Sequence, residues 1–158
     1  MRPGTLRGRL EDSPELSRLL RDLMTTQNFG VLCTQSQGQP YGSLMCFATS
    51  DDLARVWFST ERNTLKFRHM HADNRVAFLV ENTGNRPSDT FEAVVATSTG
   101  RVDELDGVEK SAALARYLVK NPQLTEFVAS PGCALLQLTV EVYQVVRRFQ
   151  EAVEVQVG

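Results

Sequence analysis

No apolar run in this sequence approaches the roughly 20 residues that a membrane-spanning helix needs. A basic excess is also lacking. Lys and Arg number 17 against 19 Asp and Glu, a net charge of -2, whereas a general nucleic-acid binder shows a basic balance with clustered cations. Cysteine is scarce: Cys33, Cys46 and Cys133 lie far apart with no C-x-x-C pair. A disulfide framework is therefore not expected, and Cys33 and Cys46 read as small buried hydrophobes. The first ten residues hold three arginines but no hydrophobic segment follows. No secretory signal is expected, and the default location is the cytoplasm. G-x-S-x-G, G-x-G-x-x-G and Walker patterns are all missing, so neither a serine-hydrolase elbow nor a dinucleotide or P-loop site is proposed. The two histidines, His69 and His71, are two apart, whereas a zinc pair on a helix needs i, i+4 spacing to share a face. No metal site is expected.

What is present suits one ordinary domain. The chain has 158 residues, of which 42% are hydrophobic, enough for a core that needs no staple. There is no internal repeat and no dividing linker, so residues 1–158 read as a single domain with 1–12 as a flexible lead-in. A helix follows over 13–26. Ser13 can cap it, Pro14 suits its first turn, and Leu16, Leu19, Leu20, Leu23 and Met24 form one apolar stripe. Strands are expected at 29–34, 41–49, 55–60, 75–81, 92–102 and 133–147, with helices at 63–72, 106–119 and 123–129. Asp106 and Glu109 resemble a capping box. Short antiparallel strands with few helices predict a mainly β fold with flanking helices, an antiparallel barrel of six strands.

The most informative stretch is 58–66. A strand ends in Ser59 and Thr60, a helix begins a few residues later, and Arg62 and Lys66 bracket its start. Free N–H groups at a helix N-terminus, hydroxyl donors and cations together suit a phosphate. The same Ser, Thr and Asn residues also cap helices for purely structural reasons. Arg68 and Arg75 join a local cationic cluster that reads equally well as a solvated helix face.

The order of segments resembles the pyridoxamine-phosphate-oxidase-like flavoproteins over residues 28–146. "GQPYGSLMCFATSDD", "FST" followed by Arg62, "NTLKFRHMHADNRVAF", "VENTGNRPSDTFEAVVATSTGRVDEL" and "LLQLTVEVYQVV" occur in that family's order and spacing. The resemblance implies a split β-barrel that binds FMN. Ser59, Thr60, Arg62, Thr64 and Lys66 then match positions holding the flavin phosphate and ribityl chain. Ser43, Leu44 and Met45 match the strand passing the isoalloxazine ring, and Asn82 and Asn85 match a loop approaching the flavin. It further implies a homodimer with flavin at the interface and a small-molecule substrate, with no nucleic-acid or membrane partner. An FMN-dependent oxidoreductase is one function on this fold. A non-catalytic flavin- or haem-binding protein (sensor, store or electron carrier) is the other, with His69 or His71 as candidate haem ligand.

Overall fold

The computed structural model describes residues 6–158. The strands are β1 (Leu6–Arg9), β2 (Phe29–Ser36), β3 (Gln39–Cys46), β4 (Ala48–Thr49), β5 (Arg55–Glu61), β6 (Arg75–Glu81), β7 (Val95–Glu104), β8 (Cys133–Arg147) and β9 (Glu151–Gln156). The α-helices are α1 (Pro14–Thr26), α2 (Leu65–Ala72), α3 (Asp89–Glu92), α4 (Gly107–Lys120) and α5 (Thr125–Ala129). The strands run in the order β1-β9-β8-β7-β6-β2-β3, while β5 pairs with β4 and with β8. Every pairing is antiparallel except β1 with β9.

The split in the barrel comes from β8. Its first half, through Thr139, pairs with β5, whereas its second half, from Val142, pairs with β9. Strand β7 follows the whole ladder on the other side, with a register shift between Thr99 and Gly100. A Cβ at Gly100 would sit 1.9 Å from the Thr139 carbonyl oxygen. Only glycine allows this close approach, and the irregularity bends the sheet toward closure.

Alternation places the core. Leu32, Phe58, Phe78, Leu138 and Tyr143 fill the barrel, and Leu16, Leu20, Leu23 and Met24 of α1 pack against them. A smaller cluster of Trp57, Leu135 and Tyr117 lies beneath α4. Strand β5 is therefore buried on both faces.

The six strands expected from sequence are found as β2, β3 with β4, β5, β6, β7 and β8, the expected 41–49 strand being broken at Phe47 into β3 and β4; β1 and β9 are additional. Leu6–Arg9, within the stretch expected to be a flexible lead-in, form β1 against β9, while residues 1–5 lie outside the described residues. Strand β9 follows a turn of three left-handed non-glycine residues, Arg148, Phe149 and Gln150. That turn carries no Gly or Asn signal of the kind that marks a hairpin in sequence. The expected caps also differ: neither Ser13 nor Asp106 makes a side-chain capping bond. Thr64 does cap α2, accepting from the Phe67 N–H.

Candidate functional site

Because side chains alternate along a strand, Ser59 and Thr60 must face opposite ways. Ser59 faces α4, where its hydroxyl lies 2.9 Å from the Tyr117 hydroxyl. Thr60 turns to the other side, with its Oγ1 3.1 Å from the Thr64 Oγ1 at the start of α2. Thr64 also donates to the Glu61 carbonyl at 2.9 Å. Thr60 and Thr64 thus form a hydroxyl pair at the helix start, and Lys66 follows within the first turn, half-buried. No ion pair among the described residues involves Lys66.

Arg62 is engaged quite differently. Its Nε and Nη2 donate to the two carboxylate oxygens of Glu104 at 3.2 and 2.8 Å, and its Nη1 donates to the Pro131 carbonyl at 2.9 Å. Its backbone N–H bonds the Gly132 carbonyl. The guanidinium therefore ties together the ends of β5 and β7 and the turn before β8. The pair shifts both partners: Arg62 holds the Glu104 carboxyl below its ordinary pKa, and Glu104 raises that of Arg62. Glu104 carries no motif in the sequence, because its partner is 42 residues away.

On β3, Ser43 and Met45 face inward while Leu44 is exposed on the outer face. The Ser43 hydroxyl oxygen is buried and has no hydrogen-bond partner. A buried hydroxyl left unpaired costs about 1–3 kcal/mol, so this atom suits a ligand that supplies the missing partner.

Asn82 and Asn85 sit elsewhere. The Asn82 Oδ1 accepts from the Val94 N–H at 2.8 Å and closes the base of its loop, and Asn85 takes a left-handed φ of 59°. The pairings Glu61 with Cys133 and Glu104 with Leu136 mark one end of the sheet; Glu81 with Val95 and Val95 with Val146 mark the other. The ten residues of β7 separate these ends, a distance of about 30 Å at the usual rise per residue. One chain therefore brings Thr60, Thr64 and Lys66 together but leaves Asn82 and Asn85 at the far end.

The histidines part in the same way. His69 is buried, with Nδ1 3.0 Å from the Thr34 Oγ1 and its ring edge-on to Tyr41. His71 is exposed and stacks on Phe67. Among the described residues no group of three or more His, Cys, Asp or Glu could hold a metal ion, and no helix is long and apolar enough to cross a membrane. The three cysteines are free.

Comparison with known proteins agrees with this architecture. Among solved structures, the haem-binding protein from Mycobacterium smegmatis has a TM-score of 0.81 at 15% identity, over 90% of this chain and 58% of that one. An FAD-binding protein from Mesorhizobium loti has a TM-score of 0.65 at 20% identity, over 78% and 88%. General Stress Protein 26 from Bacillus anthracis has a TM-score of 0.65 at 15% identity, over 89% and 98%. At these identities the likeness is one of fold. No curated protein matches the chain in sequence. The family model for pyridoxamine 5'-phosphate oxidase, however, matches residues 16–147. That span runs from α1 through the end of β8 and includes the hydroxyl pair, Lys66 and the β3 strand, so the chain belongs to the pyridoxamine 5'-phosphate oxidase family.

Proposed function

We propose that this protein binds FMN and acts through it as a cytoplasmic oxidoreductase on a small molecule, working as a homodimer with the flavin at the interface. The observation that carries this reading is the start of α2. Thr60 and Thr64 set two hydroxyls beside a helix N-terminus, and Lys66 has no carboxylate partner among the described residues. Helix N–H groups, hydroxyls and an ammonium are the donors a phosphate takes. Arg62, already bonded to Glu104 and Pro131, braces this corner and retains two N–H groups to add to it. Ser43, with its unpaired buried oxygen, fits a polar edge of the flavin, and Leu44 and Met45 flank it on the same strand. When bound, the flavin supplies the redox chemistry, while the chain binds and orients it.

The dimer rests on two features. The outer sheet face bears Phe29, Val31, Leu44, Leu79, Val95 and Val146, with Glu81 opposite Val95 and Glu154 opposite Gln144 as charges at its margins. A two-fold axis through that face and perpendicular to the strands would also bring the 82–94 loop of one copy to the α2 end of the other. Asn82 and Asn85 would then approach a flavin that their own chain holds out of reach.

A haem-binding role on the same fold is the second reading, favoured by His71, whose ring is exposed while that of His69 is engaged. A flavin-fluorescence titration of the apo-protein tests the first reading. Lys66→Ala should weaken FMN about 10- to 150-fold, the equivalent of losing about 1.5–3 kcal/mol, and leave riboflavin binding unchanged. An unaltered FMN affinity, or an equal loss for riboflavin, would remove the phosphate assignment.

A further inference from the structure

Beside α2, on the flank turned to the ends of β7 and β8, lies a cleft of about 420 Å³, within the range of small-molecule sites. Its floor is apolar and reaches the main core through Met70, Val102 and Leu136. One wall is aromatic: Phe67 and His71, one helical turn apart, stack with ring centroids 6.4 Å apart and planes within 17°. None of the residues of the Thr60, Thr64 and Lys66 corner lines it.

The charges at the mouth are already matched. Arg75 donates to both carboxylate oxygens of Asp73, at 3.0 and 2.6 Å. Arg62 does the same for Glu104. Asp103 pairs with Gln137 across the sheet, which turns its side chain to the α4 face, away from Val102 and Leu136. No Lys or Arg lines the cleft. A charged guest would therefore leave water without meeting an unpaired counter-charge, and that costs free energy. Hydrogen-bond acceptors are available instead. The cleft takes in the last turn of α2, where the carbonyls of Met70, His71 and Ala72 receive no backbone N–H among the described residues. Carbonyls at a helix end are left for side chains, water or a ligand. Atoms facing an unfilled apolar crevice also lack dispersion partners on that side, and an apolar guest restores them.

We propose that this cleft binds a small, flat, uncharged aromatic molecule with an N–H or O–H donor at its edge. The ring lies between the Phe67–His71 wall and the Met70, Val102 and Leu136 floor, and its donor meets the carbonyl end of α2. The inference goes beyond the flavin reading and does not depend on it.

Methionine methyl NMR on the full chain tests it, since the four methionines are Met1, Met24, Met45 and Met70. Indole should shift the Met70 methyl saturably and leave Met45, on the proposed flavin strand, unmoved. Benzofuran, the same shape with an oxygen in place of the N–H, should bind about 2- to 10-fold more weakly, the loss of one neutral hydrogen bond. Tryptamine and indole-3-propionate, which add a charge of either sign to the indole ring, should bind no more tightly than indole. His71→Ala, a change at an exposed side chain, should weaken indole about 2- to 10-fold by removing half of the aromatic wall. An unmoved Met70 would overturn the proposal. So would benzofuran binding as tightly as indole, a gain of more than about threefold for either charged probe, or a His71→Ala protein that binds indole as the parent does. Each result is read without flavin, so a failed FMN titration and a failed indole titration remain separate outcomes.

Discussion

On its barrel face β5 presents Val56, Phe58 and Thr60, and on its other face Trp57 and Ser59. The barrel face is apolar until Thr60, whose hydroxyl meets Thr64 at the mouth beside α2. The α4 face is sealed and knit by polar contacts: Ser59 with Tyr117, the Trp57 Nε1 donating to the Gln137 Oε1, and the Asn121 amide donating to the Phe47 carbonyl. Two hydroxyl residues adjacent in sequence thus have different work. Thr60 is buried on the barrel side and holds the Thr64 hydroxyl at the start of α2, while Ser59 is closed beneath a helix and organises a small second core.

The largest test of this contrast is Phe58→Ala. Phe58 is fully buried and stacks on Phe78 at 6.0 Å, so its truncation should cost about 3–5 kcal/mol in a urea unfolding curve. A loss below about 1.5 kcal/mol, the range of a conservative apolar swap, would mean that the barrel face does not carry the main core.

A paired measurement separates the two hydroxyls. Ser59→Ala leaves the Tyr117 hydroxyl buried without its partner and should cost about 1–3 kcal/mol of stability, with FMN affinity unchanged. Thr60→Val should do the reverse, weakening FMN about 2- to 10-fold, the worth of one neutral hydrogen bond. If Ser59→Ala weakens FMN as much as Thr60→Val does, the face-by-face division fails.

The smallest effect is a pH dependence on the α4 side. Burial lowers the Lys120 pKa to about 8; its Nζ donates to the Met24 carbonyl at 2.7 Å and lies 3.6 Å from the centre of the Phe47 ring. Between about pH 8 and the ordinary lysine range, the unfolded chain holds this proton and the folded chain has released it. Stability from this group therefore rises with pH in that window. Burial raises the Tyr117 pKa to about 12. Above about pH 10 the unfolded tyrosine ionises first, and that group's contribution falls. Urea midpoints of the parent minus those of Lys120→Met should therefore climb from pH 8 to pH 10. A flat difference would show that Lys120 is solvated.

Much of the site was legible because it is local. Hydroxyls, a turn and a cation within eight residues, 59–66, mark a strand running into a helix start, and the structure places Thr60, Thr64 and Lys66 there together. The role of Arg62 was not legible. Its partner Glu104 comes from a strand that only sheet pairing brings near, and an arginine beside a helix start looks the same whether it awaits an anion or already holds a carboxylate. Glu104, the unpaired Ser43 oxygen and the cleft beside α2 left no trace in sequence for the same reason.

Sequence alone determined the strand and helix periods, the α1 stripe that closes the barrel and the opposite facing of Ser59 and Thr60, because side-chain direction follows from residue spacing within one element. Tertiary structure alone decided the parallel pairing of β1 with β9 and the division of β8 between two partners. It also decided the binding of Arg62 to Glu104 and the separation of Asn82 and Asn85 from Lys66 by the length of the sheet. Each of these depends on contacts between segments far apart in the chain, whose free energy is gained only when the whole sheet has formed.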